Sequence, residues 1–196
     1  AFEDEAGNRG LIVDTTTDSG SLGIDTTAPE LRDISIVSNN PDSTTAKAGD
    51  VVTLSFTTTE PIQTPAASDV TISGLSGVTL TGNDNKTEWT ASGTVAANAS
   101  GNAAFSITVL DNAGNRGSPE TTTTDGTSVT LDTTLPTLSD VVLASSNAND
   151  STRFAKEDDD LILEFTSSED IQRPTVTLTD SSLSVNLHAE SAATTP

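Results

Sequence analysis

The sequence predicts an all-β chain built from tandem antiparallel β-sandwich repeats, and three observations lead there. The first is an internal period: Asp4 and Asp111, Asp18 and Asp125, Asp25 and Asp132, and Pro29 and Pro136 are each separated by 107 positions. A period of this length in a 196-residue chain points to repeated small domains rather than one large one. The second is period-two alternation of apolar and polar residues in short runs, broken by Gly, Asn, Asp and Pro about every 8–12 residues, the pattern of a sandwich. The third is that no stretch carries a helical period.

Residues 1–24 read as the C-terminal part of a first repeat, with the Asp4 loop followed by a strand in which Leu22 and Ile24 alternate with Gly23. Asp25-Thr26-Thr27 before Pro29 forms a short extended joint, because β-branched residues and the position before proline disfavour helix. Residues 25–131 read as a complete repeat. Ile34 and Ile36 share a face in its first strand, and Val52, Leu54 and Phe56 in the next. Shorter strands are expected at 70–72, 78–80 and 89–95, then around Phe105, Ile107 and Val109, and around Val129 and Leu131. Trp89 is expected in the core with Ala91. Residues 132–196 read as the N-terminal part of a further repeat, in which Lys156, Asp159, Leu163, Phe165, Glu169 and Ile171 follow Lys47, Asp50, Leu54, Phe56, Glu60 and Ile62 at an offset of 109. The two extra residues are expected in the turn near Asn149-Asp150-Ser151. Both ends fall inside a repeat, so the chain is expected to be a window on a longer array.

Composition narrows the function. Eight Lys and Arg against 29 Asp and Glu give a formal charge of −21, which argues against nucleic acid or an anionic membrane surface as partner and makes cations the natural counterpart. Hydrophobic residues make up 33% and aromatics 3%, so each core is small. There is no cysteine to staple it. No apolar run approaches the roughly 20 residues that span a bilayer. Catalysis has little to work with: His188 is the single histidine, and neither a Cys nucleophile nor a phosphate-cradling Gly loop is present. Asp158 and Asp160 lack aromatic neighbours for stacking a sugar and are not read as a glycosidase pair. The chain is read as not an enzyme. The run Glu157-Asp158-Asp159-Asp160 is read as a solvated turn.

The motif Asp111-Asn112-Ala113-Gly114-Asn115, followed at a strand's length by Asp132-Thr133-Thr134-Leu135-Pro136, with its earlier copy from Asp4 to Pro29, resembles the bacterial-type Ig-like repeats of large surface adhesins and biofilm proteins. It is also similar to cadherin-like and hyalin-like extracellular repeats, although the cysteines of the latter are missing. The resemblance implies a rod of Ig-like antiparallel sandwiches outside the cell or on its surface, whose partners are neighbouring repeats of the same chain, and whose joints are rigidified by Ca²⁺. In such a sandwich the start of the first strand, the loop after the second and the loop before the last lie at one end. That would bring together Asp25, Glu60, Asp111, Asn112 and Asn115, with Asp132 and Glu169 as a matching set at the next joint and Asp4 as a remnant of the preceding repeat. Calcium takes 6–8 hard oxygen ligands in irregular geometry, which such a set supplies. The competing meaning is that Asp111 with Gly114 builds an Asx-type turn without metal. Asn85, Asn98 and Asn149 fit the N-glycosylation pattern, each in an expected turn. The expected function is an adhesive or structural spacer; a glycan- or protein-binding module and a subunit of a self-associating fibre are the alternatives.

Overall fold

The computed structural model describes residues 2–11 and 20–177. The strands are β1 (Leu31–Ser38), β2 (Thr45–Ala46), β3 (Val51–Thr58), β4 (Val70–Ile72), β5 (Leu75–Gly82), β6 (Glu88–Val95), β7 (Ser100–Asn102), β8 (Phe105–Ile107), β9 (Thr130–Asp132), β10 (Leu138–Ser145) and β11 (Leu161–Ser167). No helix occurs among the described residues, and so none that could cross a membrane; this says nothing of a strand-built membrane protein. His188 and Asp18 lie outside the described residues, as does the Thr15–Thr17 run.

The chain divides into two compact units, residues 1–133 and 134–196. In the first, β1, β3, β6 and β5 form an antiparallel sheet in the order β1-β3-β6-β5. A three-stranded sheet, β2-β9-β7, and a β4-β8 pair supply the remaining strands. Alternation decides which side chains turn inward. Val52, Leu54 and Phe56 are buried, while Val51, Thr53 and Ser55 stay partly exposed, and Trp89, Ala91 and Val95 continue the same buried face on β6. Against them come Ala46, Val70, Ile72, Phe105, Ile107 and Leu131, so that strands of every sheet in this unit share one apolar cluster, consistent with a β-sandwich. Trp89 pairs across the sheet with Phe56, and its Nε1 donates to the Lys86 carbonyl, which satisfies the one polar atom of the indole.

Two features depart from the sequence-based expectation. The pairing is not wholly antiparallel, because β2 runs parallel to β9, with Thr45 opposite Thr130 and Ala46 opposite Leu131. And Leu22-Gly23-Ile24 is not a strand: residues 20–30 form no ladder, and Leu22 and Ile24 are 93% and 86% exposed. Their counterparts Val129 and Leu131 are buried because β2 and β7 flank them. Among the described residues no strand lies alongside Leu22-Gly23-Ile24, and without a ladder partner alternation alone does not make a strand.

In the second unit β10 and β11 repeat β1 and β3 closely. Leu31 pairs with Thr58 and Leu138 with Ser167; Ser38 pairs with Val52 and Ser145 with Leu161. The offset is 107 on the first strand and 109 on the second, so the two extra residues lie in the connection between them. Each first strand carries a bulge after its second residue, where Asp33 (φ 48°) and Asp140 (φ 52°) take the left-handed conformation. The apolar residues Val141, Leu143, Leu161 and Leu163 are exposed here, with no second layer over them among the described residues.

Candidate metal centre

The Asp111 loop closes on its own first residue. The Asp111 carboxylate accepts the Gly114 N–H (2.6 Å) and the Asn115 N–H (2.8 Å) on Oδ1, and the Asn115 side-chain amide (2.7 Å) on Oδ2. The Asp111 N–H donates to the Asn115 carbonyl, and Gly114 turns the chain at φ 96°, a conformation that favours glycine. The earlier copy repeats the design: Asp4 Oδ1 accepts the Asn8 N–H (2.8 Å), its Oδ2 accepts the Asn8 amide (2.8 Å), and Gly7 has φ 87°. The motif therefore folds locally as an Asx-type turn whose carboxylate accepts from the loop's own donors.

The surrounding unit adds neighbours. Ile62 and Gln63, just past the end of β3, pair with the loop: Ile62 bridges Asp111, the Gln63 N–H donates to the Leu110 carbonyl, and Gln63 Nε2 donates to the Asp111 carbonyl (2.8 Å). This fixes the adjoining Glu60, whose carbonyl accepts the Thr58 hydroxyl (2.7 Å). Asn115 spends its second amide hydrogen on the Asp25 carbonyl (3.1 Å), drawing the joint segment to the loop. Carboxylate oxygens of Asp25, Glu60 and Asp111 consequently lie within 4.8 Å of one another. Asp25 is exposed, Glu60 half-buried and Asp111 buried. The ion pairs among the described residues, Arg9 with Glu3, Arg32 with Glu30, Lys47 with Asp50 and Lys156 with Asp159, involve none of the three.

Electrostatics separates the members. Burial pushes the Asp111 carboxyl up, but the hydrogen bonds from the Asn115 side chain and N–H, and from Gly114 and Ala113, outweigh it and hold the group below the ordinary aspartate value. Glu60 has no such donors. Burial raises its pKa, and the negative charges of Asp25 and then Asp111 raise it further. A group of oxygens with one member held anionic and another short of positive charge suits a hard cation. The donor set fits an oxygen-seeking ion of the Ca²⁺ class, and it contains neither the nitrogen nor the sulfur that zinc or copper sites favour.

The other expected ligands are placed separately. Asn112 is exposed at the loop tip. Asp4 sits in its own loop copy. Asp132 ends β9 opposite Ser100 in the first unit, while Glu169 follows β11 in the second, where its carbonyl accepts the Ser167 hydroxyl as that of Glu60 accepts Thr58. Glu169 Oε1 is buried without a hydrogen-bond partner. Asn85, Asn98 and Asn149 are exposed in turns or bends. Gln63 was not singled out from sequence, although Gln172 repeats it at the offset of 109 and was the available signal. A second polar knot lay behind residues noted as repeat markers, and it takes Asp159 out of the run read as a solvated turn, since its side chain is largely buried. Asp50 accepts from the Asn40 amide (2.8 Å), the Lys47 N–H (2.9 Å) and Lys47 Nζ (2.8 Å), and Asp159 accepts the same three groups from Asn147 and Lys156. No protein-family model, curated protein or solved structure matches this chain.

Proposed function

We propose that this chain is part of an extracellular structural or adhesive repeat protein, in which tandem Ig-like sandwiches act as a spacer rigidified by calcium at their joints. The observation that carries this reading is the convergence of Asp25, Glu60 and Asp111 from three separate parts of the chain at the segment where the repeat begins. Structural repetition supports the tandem arrangement: the bulged strand pair and the Asx-turn loop each recur at the sequence period.

In this reading Asp111 orients one carboxylate through its turn, Glu60 supplies a second, and Asp25 brings a third from the joint itself. Asn115 positions Asp25 through its carbonyl. Bound calcium would neutralise carboxylates that otherwise repel one another across the joint. Extracellular modules commonly bind calcium at about 10⁻⁴–10⁻³ M, so weak affinity is compatible with occupancy outside cells. Calorimetric titration of the 196-residue chain with CaCl₂ is expected to release or absorb heat in this range and to raise the melting temperature. Absence of both heat and melting shift at millimolar calcium would remove the metal from the proposal.

A further inference from the structure

We infer that successive repeats of this chain are joined without a free linker residue, because the hydrogen bonds that hold the outgoing end of one repeat and the incoming end of the next overlap on the same Asp-Thr-Thr segment. This rests on the tandem-repeat reading but not on calcium.

The outgoing end is seen at Asp132-Thr133. Asp132 is the last residue of β9, opposite Ser100, and the Thr133 hydroxyl donates to the Ala99 carbonyl (3.0 Å). The incoming end is seen one period earlier, at Asp25-Thr26-Thr27. There the Asp25 carbonyl accepts the Asn115 amide (3.1 Å), and Asp25 Oδ1 accepts the Thr27 N–H (3.0 Å). Pro29 is buried, and Gly117 comes so close to it that a Cβ on the glycine would stand 2.6 Å from the Pro29 carbonyl oxygen. Two further bonds, Glu30 N–H to the Thr59 hydroxyl and Thr59 N–H to the Glu30 carbonyl, then start the sheet.

Set on the period of 107, Thr133 corresponds to Thr26 and Asp25 to Asp132. The outgoing hold thus ends one residue after the incoming hold begins. The two holds are compatible. The outgoing one uses the hydroxyl of the middle residue; the incoming one uses the carbonyl and carboxylate of the first residue and the N–H of the third. A carbonyl carries two lone pairs, so the first residue can accept from the amide even while it belongs to the β9 ladder. Both copies read Asp-Thr-Thr, and so carry every group that either hold requires. No residue then lies between the two hydrogen-bonded sets.

Backbone ¹⁵N relaxation of the full chain in EGTA tests this. Residues 25–28 and 130–133 are expected to show order parameters near the rigid value of about 0.85. Asn115→Ala, with Asn115→Asp as a near-isosteric second variant, is expected to drop residues 25–27 below about 0.6 while β3 and β6 keep their amide shifts. Wild-type residues 25–27 that are already mobile in EGTA and become ordered only with calcium would overturn the inference, as would unchanged order in both variants. A null calcium titration with residues 25–28 still rigid would remove calcium from the proposed function and leave this inference standing.

Discussion

Asp111 and Asp4 share the two side-chain bonds from the asparagine four residues on, but Asp4 is exposed and Asp111 is 1% exposed. The difference isolates what the motif does alone from what the domain adds. Alone, it is a turn; within the domain, the turn's carboxylate stands beside Glu60 and Asp25. The turn and ligand meanings weighed from sequence are thus not exclusive. Glu60 is the member whose ionisation the fold opposes, since burial and the charges of Asp25 and Asp111 all raise its pKa. Glu60→Gln should therefore raise the metal-free melting temperature and abolish the calcium-dependent rise, both read by thermal scans with and without EGTA. Asp50 behaves in the opposite sense. Hydrogen bonds from the Asn40 and Lys47 side chains lower its pKa to about 2 from an ordinary 3.8. A depressed folded value means stabilisation that is present above 3.8 and lost as pH falls toward 2. In Asp50→Asn the denaturation midpoint should be lower near neutral pH and should lose this part of its acid dependence; a variant with the wild-type acid slope would place that slope elsewhere. Lys47, Asp50, Lys156 and Asp159 were visible as a repeated pattern, but Asn40 and Asn147 complete each knot from before the turn, where spacing gives no hint of contact.

At the scale of elements, period-two alternation located the strands well because a buried face leaves its mark on every second residue. It could not say whether a neighbouring strand exists, which is a non-local fact, and so Leu22-Gly23-Ile24 read as a strand while remaining unpaired. The parallel β2-β9 contact was hidden for a related reason: β2 is two residues long, too short to show a period. Alternation also missed the reason for Gly82 at the end of β5. A Cβ there would stand 2.8 Å from the Trp89 ring, so the indole lies where a side chain at 82 would be. Gly82→Val should force the ring aside and destabilise the first unit by about 1–3 kcal/mol, the usual cost of overpacking. Trp89 is the single tryptophan, so its emission reports the change directly. An unshifted spectrum with wild-type stability would show that β5 yields instead. The outer edge of β1 is covered in part, since the Thr124 N–H donates to the Ile34 carbonyl and the Ile36 N–H to the Thr127 hydroxyl, and the Asp33 and Asp140 bulges place a charged residue in a left-handed kink on β1 and β10.

At the scale of the whole molecule, the apolar residues are distributed unequally. All nineteen hydrophobic residues that are buried among those described, from Ile34 to Leu131, belong to the first unit, whereas Val141, Leu143, Leu161 and Leu163 in the second face solvent. A two-stranded sheet is marginal in water unless a further layer covers it. The 196-residue chain should accordingly unfold with the heat of one unit. At about 0.7 kcal/mol per residue near 60 °C, the first unit accounts for about 75–95 kcal/mol, against about 135 kcal/mol for a chain cooperative throughout. Calcium should shift that same transition upward, since Asp25, Glu60 and Asp111 all lie within the unit that produces it. The formal charge of −21 makes the control essential, because any salt screens self-repulsion over a Debye length of about 8–10 Å. Sodium chloride at matched ionic strength should therefore raise the transition less than calcium does. Magnesium, which demands near-ideal octahedral geometry at about 2.0–2.1 Å and dehydrates reluctantly, should fall between them, because the three carboxylates come from separate parts of the chain and are not arranged as an octahedral cage. An enthalpy near 135 kcal/mol would show that the second unit folds with the first, and equal shifts by all three salts would reduce the carboxylate cluster to general screening.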